Sequence, residues 1–589
     1  NFTHCYFVAG GNIMHLINSF RERFTCIPVV HEVAAVISAE YHNANYNSGK
    51  IDKDIKKGFA LVTAGPGLTN TITGLAGAWL ESRELLLLGG QVKVEDLSFK
   101  KVRQLGIQEI NGVEISKPIC KKSLCLQEPI NEKEFCELIS ASWDNRPGPV
   151  FIELPLDVQA ADDTFCSSRE IGNPKNSFET KNPLKNASLS TIRSVAKKIK
   201  NSKKPVFLLG GGISANKAWE LESILNKQSI PIMTTWNGSD RYGSNHKNYF
   251  GRPNTWGMRY SNIILQNSDF VIALGTRLGL QQTGFNWKEF IPKGEVIQVD
   301  IDPSELKKDN PKITKGIEAD ANDFLEQLLN LNLGMHYGWL NCCSEIKELL
   351  PLSDKVNKSP EGYLNPFDMV IKLSEISSSD DHIVPCSSGG AFTVMMQAFE
   401  VKQYQTMTSN KGLASMGYGL SGAIGSAISD PANRTILVEG DGGFAQNLQE
   451  MATVSANNLN IKIFLFCNEG YASIRMTQKN YFKGNYIGCD KQSGLGFPDW
   501  QKISSAYNIK TYELTKNWFN DKKFLDLWDE KEPSLFIVNL HPEQTYFPKI
   551  SSRVKDDGSM ESNPLHIMTP ELDKNIQQKL DIFLNKSMN

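Results

Sequence analysis

The stretch Glu439-Gly-Asp-Gly-Gly443, together with the apolar run that ends at Asn468, decides the fold of its surroundings. Ile436-Leu-Val438 predicts a short buried strand, the apolar spacing over residues 447–458 predicts a helix, and residues 461–466 predict a second buried strand. The strands of such a βαβ unit are parallel, so the loops that follow them lie at the same edge of the sheet. Open α/β sheets bind their ligands at this edge.

Asp441 and Asn468 follow the two predicted strands, so we expect their side chains to converge at that edge. Their carboxylate and amide oxygens suit Mg²⁺, which usually keeps phosphate oxygens and water as its other ligands. Gly442 and Gly443 would let backbone N–H groups approach a phosphate at the start of the next helix. The pattern therefore predicts a site for a diphosphate and a metal ion.

The size and composition of the chain limit its class. A length of 589 residues suggests roughly three or four domains. The net charge of −2 argues against a dedicated nucleic-acid-binding protein, and the chain lacks the apolar run of ~18 residues that a membrane span requires. Eleven cysteines without a C-x-x-C pair favour reduced thiols and a cytoplasmic location. Because the chain begins at Asn1 within a strand-like segment, we expect that an upstream helix is missing.

Apolar strands alternate with helical segments along the chain, as in residues 59–63, 68–81 and 85–88. This alternation predicts an α/β fold with three doubly wound parallel-sheet domains. Polar segments at residues 167–186 and 353–365 predict linkers. The predicted boundaries are 1–165, 186–350 and 366–548 for the three domains and 549–589 for a C-terminal tail.

The segment Asn468-Glu-Gly-Tyr471 completes a pattern that resembles the thiamine-diphosphate motif of the acetolactate synthase family. In that family the Asp, the Asn and the backbone carbonyl two residues beyond the Asn hold the metal ion. The resemblance implies thiamine diphosphate and Mg²⁺ as cofactors, with Asp441, Asn468 and Gly470 as metal ligands. It also implies that the three domains are a pyrimidine-binding, a central and a diphosphate-binding domain.

Glu32, in the segment Val29-Val-His-Glu32, stands at the start of an apolar helix. A glutamate on the apolar side of a helix needs a raised pKa or a partner, whereas a solvated glutamate in the first turn is favoured by the helix dipole. The resemblance implies a catalytic role, because the family uses a glutamate here to bind N1′ of the aminopyrimidine ring. Gly106-Ile-Gln-Glu109 stands where the family has Phe-Gln-Glu. Gln108 is thus implied to face the bound 2-ketoacid, although a lone glutamine on a loop would otherwise be exposed.

Three further segments resemble loops that surround the cofactor in the family. They are Thr63-Ala-Gly-Pro-Gly-Leu-Thr-Asn70, Cys386-Ser-Ser-Gly-Gly390 and Gly412-Leu-Ala-Ser-Met416-Gly-Tyr-Gly419. The second matches by position only, because Gly390 and Ala391 stand where the family usually has Gln and His. Without those side chains, backbone N–H groups must make more of the contacts to the anion. Met416 is implied to hold the cofactor bent, although a Met in an apolar turn is often only core. The implied cofactor-binding residues are Gly65, Asn70, Ser388, Gly389, Gly390, Met416, Gly442, Gly443, Gly470 and Tyr471.

The middle domain contains Gly210-Gly-Gly212 after an apolar strand, which fits a loose dinucleotide-binding pattern. Four more segments line up with those that hold FAD in acetolactate synthases. They are Thr234-Thr-Trp-Asn-Gly238, Gly251-Arg-Pro-Asn-Thr-Trp-Gly257, Gly275-Thr-Arg-Leu278 and Asp300-Ile-Asp302. FAD, an ADP-type ligand and an empty structural domain all remain open.

The chain departs from the family on the side of the second substrate. The arginine with which the family binds the carboxylate of the second ketoacid is replaced here by Gln281. The tryptophan that favours 2-ketobutyrate in the family is replaced by Thr477. An amide lacks the charge and the bidentate geometry that carboxylate recognition favours, although Arg277 or Arg475 could compensate. The loop after Asn468 instead resembles that of thiamine enzymes in surface-polysaccharide gene clusters.

The resemblance implies a carboligase that decarboxylates a 2-ketoacid, expected to be pyruvate, and transfers the two-carbon unit to an acceptor carbonyl. Pyruvate as acceptor would give acetolactate, and a nucleotide-linked keto sugar would give a branched sugar. A non-catalytic, nucleotide-binding partner subunit is a third possibility. In the family, the domains that contain Glu32 and Asp441 come from different chains, which implies a homodimer or homotetramer. No nucleic-acid or membrane partner is expected.

Overall fold

The structure is a computed structural model that describes residues 2–51, 54–99, 101–161, 185–555 and 557–586. The predicted linker at residues 167–186 lies almost entirely outside these ranges. Three parallel β-sheets with helices packed against them confirm the predicted fold class. None of the helices in the described ranges combines the length and the apolar character that a bilayer-spanning helix needs.

The first sheet has six parallel strands in the order β2-β1-β3-β4-β6-β5. Its core strands are continuous apolar runs, as expected for a parallel sheet covered on both faces. The strands are β1 Phe2–Phe7, β2 Thr25–Pro28, β3 Lys57–Val62, β4 Leu85–Gln91, β5 Lys122–Cys125 and β6 Pro149–Pro155. The helices are α1 Met14–Phe20, α2 Glu32–Ser48, α3 Pro66–Thr69, α4 Ile72–Glu81, α5 Gly112–Ser116, α6 Glu132–Ser140 and α7 Leu156–Gln159.

The second sheet has five parallel strands in the order β11-β10-β9-β7-β8. These are β7 Pro205–Leu209, β8 Ile232–Thr234, β9 Phe270–Leu274, β10 Glu295–Asp300 and β11 Lys315–Glu318. Its helices are α8 Leu189–Asn201, α9 Ala215–Leu225, α10 Arg259–Gln266, α11 Leu280–Thr283, α12 Pro303–Leu306, α13 Ala321–Leu329 and α14 Tyr337–Leu349.

The third sheet has six parallel strands in the order β13-β12-β14-β15-β17-β16. These are β12 His382–Val384, β13 Thr406–Met407, β14 Thr435–Gly440, β15 Ile461–Cys467, β16 Lys510–Glu513 and β17 Ser534–Asn539. Its helices are α15 Pro366–Ile376, α16 Gly389–Ala398, α17 Tyr418–Ser429, α18 Asp441–Phe444, α19 Met451–Ala456, α20 Ala472–Tyr481, α21 Trp500–Ala506 and α22 Lys522–Asp529.

The chain after residue 548 returns to the second sheet. Ile550, Leu565, Met568 and Leu580 share one apolar core with strands and helices of that sheet. The segment comprises two short antiparallel pairs and a last helix. Its elements are β18 Lys549–Ile550, β19 Ser552–Val554, β20 Met560–Ser562, β21 Met568–Thr569 and α23 Lys574–Lys586.

Two helices that the sequence predicts as continuous are interrupted. Residues 68–81 divide into α3 and α4 at Thr71, where both the backbone N–H (2.8 Å) and the hydroxyl (2.6 Å) donate to the Leu68 carbonyl in the i→i−3 pattern of a tighter turn. Residues 447–458 contain a 3₁₀ turn, Leu448–Glu450, before α19 begins. The side chain of Glu450 is directed from this turn to the backbone that precedes α2.

Helices α2 and α17 pack closely and join the cores of the first and third sheets. The Ser38 hydroxyl donates to the Ser421 carbonyl (2.8 Å). Glycines allow the approach: a side chain at Gly422 would collide with the Tyr41 ring, and one at Gly425 would collide with the Ser38 backbone. The first and third sheets therefore form one packed unit.

Candidate active site

Asp441 begins α18, directly after β14, and is only 3% exposed. Its Oδ1 accepts from the Gly442 N–H (2.7 Å) and its Oδ2 from the Asn468 N–H (3.1 Å). Burial raises the pKa of Asp441 to about 6, while the amides of Asn468, Gly442 and Gly470 lower it. The carboxylate is thus held by backbone amides, and a cation beside it would favour its charged form.

Asn468 and Gly470 follow the adjacent strand β15 and complete the predicted metal-ligand set. Asn468 is 7% exposed, and its Oδ1 is buried without a hydrogen-bond partner in the described ranges. Gly470 has a φ of +142°, which favours glycine, and Glu469 before it has a φ of +59°. An orphaned buried acceptor next to a buried carboxylate is the arrangement that a hard cation satisfies.

No group of three or more His, Cys, Asp or Glu side chains in the described part of the chain could hold a metal ion. A cation beside Asp441 would therefore also need the Asn468 amide oxygen, a backbone carbonyl and oxygens from a ligand. This mixed set of oxygen donors matches the coordination that Mg²⁺ prefers.

Two helix N-termini face the same edge of the third sheet, because β12 and β14 are neighbouring strands. α16 follows β12 with Ser388, Gly389 and Gly390 at its start, and α18 follows β14 with Gly442. A side chain at Gly442 would collide with the ring of Tyr471. The predicted diphosphate-binding residues of both loops are thus brought together, with backbone N–H groups that suit an anion.

Among the described residues, five buried polar atoms without a hydrogen-bond partner belong to segments at this edge, and others are distributed through the rest of the chain. Each of the five lies at or just beyond the carboxyl end of a strand of the third sheet or in the helix that follows: Ser387 Oγ, Glu439 Oε2, Asn468 Oδ1, Arg475 Nε and the Tyr546 hydroxyl. Burial raises the pKa of Glu439 to about 8, and neighbouring backbone amides lower it. Native proteins leave few such groups unsatisfied, so this edge has the polar, desolvated character of a ligand site.

Met416 lies next to this edge, in the loop that leads into α17, and is 37% exposed. The Gln446 side chain contacts its sulfur (3.7 Å), and the Asn447 amide donates to the Gly417 carbonyl (2.6 Å). Ala414, two residues earlier, has a φ of +57°. These contacts hold the loop in place while the Met416 side chain stays accessible to a ligand. The sequence did not predict that Gln446 and Asn447 support this loop.

Glu32 and Asn70, predicted for the pyrimidine end, contact each other directly. Glu32 is the first residue of α2, and its Oε2 accepts from the Asn70 Nδ2 (2.9 Å). Both side chains are half-buried. The glutamate thus has a polar partner, and one of its oxygens remains free of that hydrogen bond.

Gln108 lies against Gly65. Both have a positive φ, +62° for Gln108 and +67° for Gly65, and a side chain at position 65 would collide with the Gln108 backbone. The loop is fixed by Glu109, whose carboxylate accepts from the N–H groups of Ser98 and Leu105. The Gln108 side chain itself is exposed in the single chain.

Glu450 connects the third domain to the segment that precedes Glu32 in the same chain. Its carboxylate accepts from the N–H groups of Val30 (3.2 Å) and His31 (2.9 Å), directly before Glu32. Among the residues described, no hydrogen bond joins Glu32 to the set around Asp441. Glu450 was not predicted from the sequence, although its position in the predicted helix after the Gly-Asp-Gly motif could have indicated that it lies near the site.

A cavity of about 1050 Å³ lies between the sheets and extends to the loop before Met416. Its lining includes Gly211, Gly212, Asn237, Arg277, Gln281 and Lys411. The glycines follow β7 at the carboxyl edge of the second sheet, where such sheets bind nucleotides. The volume and the mixed polar lining suit a nucleotide-sized ligand.

Arg475 is buried and already engaged with the loop that contains Asn468. Its guanidinium donates to the carbonyls of Asn468 (2.6 Å), Glu469 (3.1 Å) and Pro542 (2.8 Å). It therefore cannot replace the missing arginine at position 281 as a ligand of a substrate carboxylate, as the sequence had allowed. Gln281 is exposed on the cavity wall, and Arg277 lines the same cavity.

Three segments of the chain match the domains of one enzyme family in their usual order. Residues 1–115 match the thiamine pyrophosphate enzyme N-terminal TPP binding domain, residues 192–328 the central domain, and residues 388–538 the C-terminal TPP binding domain. The first and third matches contain Glu32 and Asp441, respectively, and the second contains the glycine turn of the cavity.

Curated relatives match over most of their length. The acetolactate synthase large subunit of Cyanidium caldarium is 29% identical over 508 residues, which are 84% of this chain and 83% of that protein. A probable acetolactate synthase large subunit of Methanocaldococcus jannaschii is 29% identical over 83% of this chain and 82% of its own. The acetolactate synthase isozyme 1 large subunit of Escherichia coli is 26% identical over 92% of both chains.

Proposed function

We propose that this chain, which belongs to the thiamine pyrophosphate enzymes and is acetolactate synthase-like, is a carboligase acting on a 2-ketoacid. It would release CO₂ from the 2-ketoacid, expected to be pyruvate, and join the two-carbon unit to an acceptor carbonyl. The observation that carries the proposal is the buried set of Asp441 and Asn468 at the sheet edge, within a TPP binding domain.

The diphosphate end would bind through groups that the fold already brings together. Asp441, Asn468 and the Gly470 carbonyl would hold Mg²⁺, and the first-turn N–H groups of α16 and α18 would bind phosphate oxygens. Thiamine diphosphate, when bound, supplies the electron sink for loss of CO₂. The buried surroundings of Asp441 would strengthen these contacts.

The pyrimidine end would depend on Glu32. Its carboxyl group would hold a proton at the ring nitrogen N1′, and Asn70 would keep the carboxyl oriented through its existing hydrogen bond. Met416 would support the ring from the opposite loop, and Gln108 would face the 2-ketoacid. These groups bind, orient and hold a proton, whereas the carbon chemistry belongs to the cofactor.

The acceptor is either a second pyruvate or a nucleotide-linked keto sugar. Gln281 lacks the charge for a carboxylate and Arg475 is engaged elsewhere, which supports an acceptor other than a simple ketoacid. Arg277 remains on the cavity wall and supports the first option.

The test is incubation with thiamine diphosphate, Mg²⁺ and pyruvate alone, followed by CO₂ release and product analysis. Rapid acetolactate formation identifies pyruvate as the acceptor. Slow CO₂ release without acetolactate indicates another acceptor, and keto-sugar nucleotides are then added. Absence of CO₂ release together with absence of cofactor binding would contradict the carboligase and support a non-catalytic partner subunit.

The cavity beside the second sheet would bind FAD or another ADP-type nucleotide. Its volume and the turn at Gly211 and Gly212 support this, since a glycine turn at a strand end lets a phosphate approach the backbone. Titration of the purified protein with FAD and with ADP, with flavin absorbance and calorimetry as readouts, tests it. Binding of neither nucleotide would make the second domain structural.

The chain would assemble at least as a homodimer, in which each site combines the first domain of one chain with the third domain of the other. The loop before Gln108 supports this, because several of its apolar side chains are each more than half exposed to solvent. These are Phe99, Val102, Leu105 and Ile107. Sedimentation of the protein with and without cofactor measures the state, and a monomer under all conditions would contradict the proposal.

A further inference from the structure

Tyr546 lies in the loop after β17, with its ring in the apolar core that also contains Cys386 and Ala391. The residue is 6% exposed, and its hydroxyl is buried without a hydrogen-bond partner in the ranges that the structure describes. Tyrosine hydroxyls that are buried normally find a partner. The unsatisfied hydroxyl therefore requires an explanation.

The ring of Tyr546 occupies the place of a side chain at position 390. A Cβ on Gly390 would lie 2.5 Å from Cζ and 2.8 Å from the hydroxyl oxygen of Tyr546. Glycine at this position thus makes room for the ring and puts the hydroxyl beside the first turn of α16. Position 390 is also where the resemblance expects a polar side chain that binds the cofactor.

The metal end of the site lies on the other side of the hydroxyl. The Asn468 side chain lies within reach of the hydroxyl but does not meet the geometry of a hydrogen bond to it, and Asp441 and Arg475 are near enough to influence it electrostatically. The Asn468 Oδ1 is itself a buried acceptor without a partner among the residues described. The hydroxyl therefore stands between the loop that starts α16 and the loop that follows β15.

We propose that the Tyr546 hydroxyl belongs to the diphosphate site and donates a hydrogen bond to a phosphate oxygen, in place of the side chain that Gly390 lacks. A phenol is a neutral donor, and a phosphate oxygen is a strong acceptor that an orphaned buried hydroxyl can use. The inference rests on the proposed function, because it requires that the chain binds thiamine diphosphate.

The test is calorimetric titration of thiamine diphosphate with Mg²⁺ into the full-length protein and its Tyr546→Phe variant. Loss of one hydrogen bond to the anion is expected to weaken binding, raising the Kd roughly tenfold to 100-fold. Tyr242→Phe is the matched control: it removes a buried hydroxyl that donates to Asn248 (2.6 Å) in the second domain, so cofactor affinity should not change.

Thermal unfolding gives a second readout without turnover. Removal of an unsatisfied buried hydroxyl should leave the apo protein as stable as the parent or more stable, while the stabilisation by saturating cofactor should shrink. Equal affinity and equal stabilisation in Tyr546→Phe would overturn the inference. If the parent chain itself binds no thiamine diphosphate, the proposed function fails, and the two failures are thus distinguished.

Gly390→Ala tests the same contact from the other side. The added methyl group would displace the ring while leaving the phenol in the chain, so cofactor affinity should fall by at least as much as in Tyr546→Phe. Unchanged affinity in this variant would also overturn the inference.

Discussion

The two ends of the candidate site differ in how completely one chain builds them. At the diphosphate end Asp441 is buried, and two backbone amides donate to its carboxylate. At the pyrimidine end Glu32 is half-buried, has one side-chain partner, and lies near an exposed Gln108. A single chain thus buries the end that we propose binds the diphosphate and leaves exposed the end that we propose positions the pyrimidine ring.

Burial explains why the two ends depend differently on a partner. Desolvation would strengthen the attraction between a metal ion and Asp441, and the backbone amides that hold this carboxylate belong to the same domain. A half-buried Glu32 gains a comparable environment only when another surface covers it. The comparison predicts that substitutions at the first end affect binding, and that substitutions at the second affect turnover.

The largest effect is expected from Asp441→Asn. Removal of the charge beside the metal should abolish turnover and weaken Mg²⁺-dependent cofactor binding by about 100-fold or more, because metal sites lose even ~10–100-fold from changes in supporting residues. Calorimetry and CO₂ release measure both effects. Asp499→Asn, at the start of α21, should bind cofactor as the parent does. Parent-like affinity in Asp441→Asn would contradict the metal assignment.

Glu32→Gln should separate the two ends. Loss of the carboxyl that holds the proton should lower turnover by ~10²–10⁴-fold, while cofactor affinity should stay near that of the parent because the diphosphate end is intact. Turnover assays and calorimetry on one preparation distinguish the two. Full activity in Glu32→Gln would refute the proton-holding role.

Arg83→Met should weaken the packing between the first and third domains of the chain. Arg83 pairs with Glu40 of α2 (2.7 Å), which is fully buried and also accepts from the Tyr418 hydroxyl (2.7 Å) at the start of α17. An unpaired buried carboxylate should cost on the order of 3–5 kcal/mol, measured as a lower melting temperature. The double variant Glu40→Gln/Arg83→Met should recover part of this loss. A single variant that melts like the parent would show that the pair contributes little.

The smallest effect concerns Glu153, in β6 of the first sheet. Burial raises its pKa to about 8, above the ordinary value of 4.5, while Gln91 lowers it. The raised pKa favours the protonated form in the fold, so this stability is present below pH 4.5 and is lost as the pH rises through 8. Glu153→Gln should therefore have a melting temperature above that of the parent at pH 8, by about a few degrees.

The control for Glu153→Gln is the exposed Glu95. Glu95→Gln makes the same chemical change at an exposed position, so it reports any effect of the substitution that does not depend on burial. A parallel pH profile for Glu153→Gln and the parent would exclude Glu153 as a source of the loss.

The fold class and the grouping around Asp441 could be predicted because they depend on local patterns. Continuous apolar strands alternate with helices, and the loops after β14 and β15 must share an edge once the strands are parallel. The site residues remain predictions, although the structure brings Asp441, Asn468 and Gly442 together and pairs Glu32 with Asn70.

Other features could not be predicted because they depend on packing between distant segments. The ring of Tyr546 fills the space at Gly390, and Arg475 donates to carbonyls of its own loop and of Pro542. No spacing rule connects these positions. The break between α3 and α4 was not predicted, because the spacing of apolar residues does not show the hydrogen bond from the Thr71 hydroxyl to the Leu68 carbonyl.

The contact between α2 and α17 has a consequence for how this chain could diversify. α2 begins at Glu32 and α17 begins two residues after Met416, so the relative position of these two residues is set largely by rigid helices. Gln281 and Thr477, where the chain departs from the family pattern, lie outside the helix pair. Mutations at these two positions therefore need not move the helix pair, so we expect the choice of acceptor to evolve independently of the helices that begin near Glu32 and Met416.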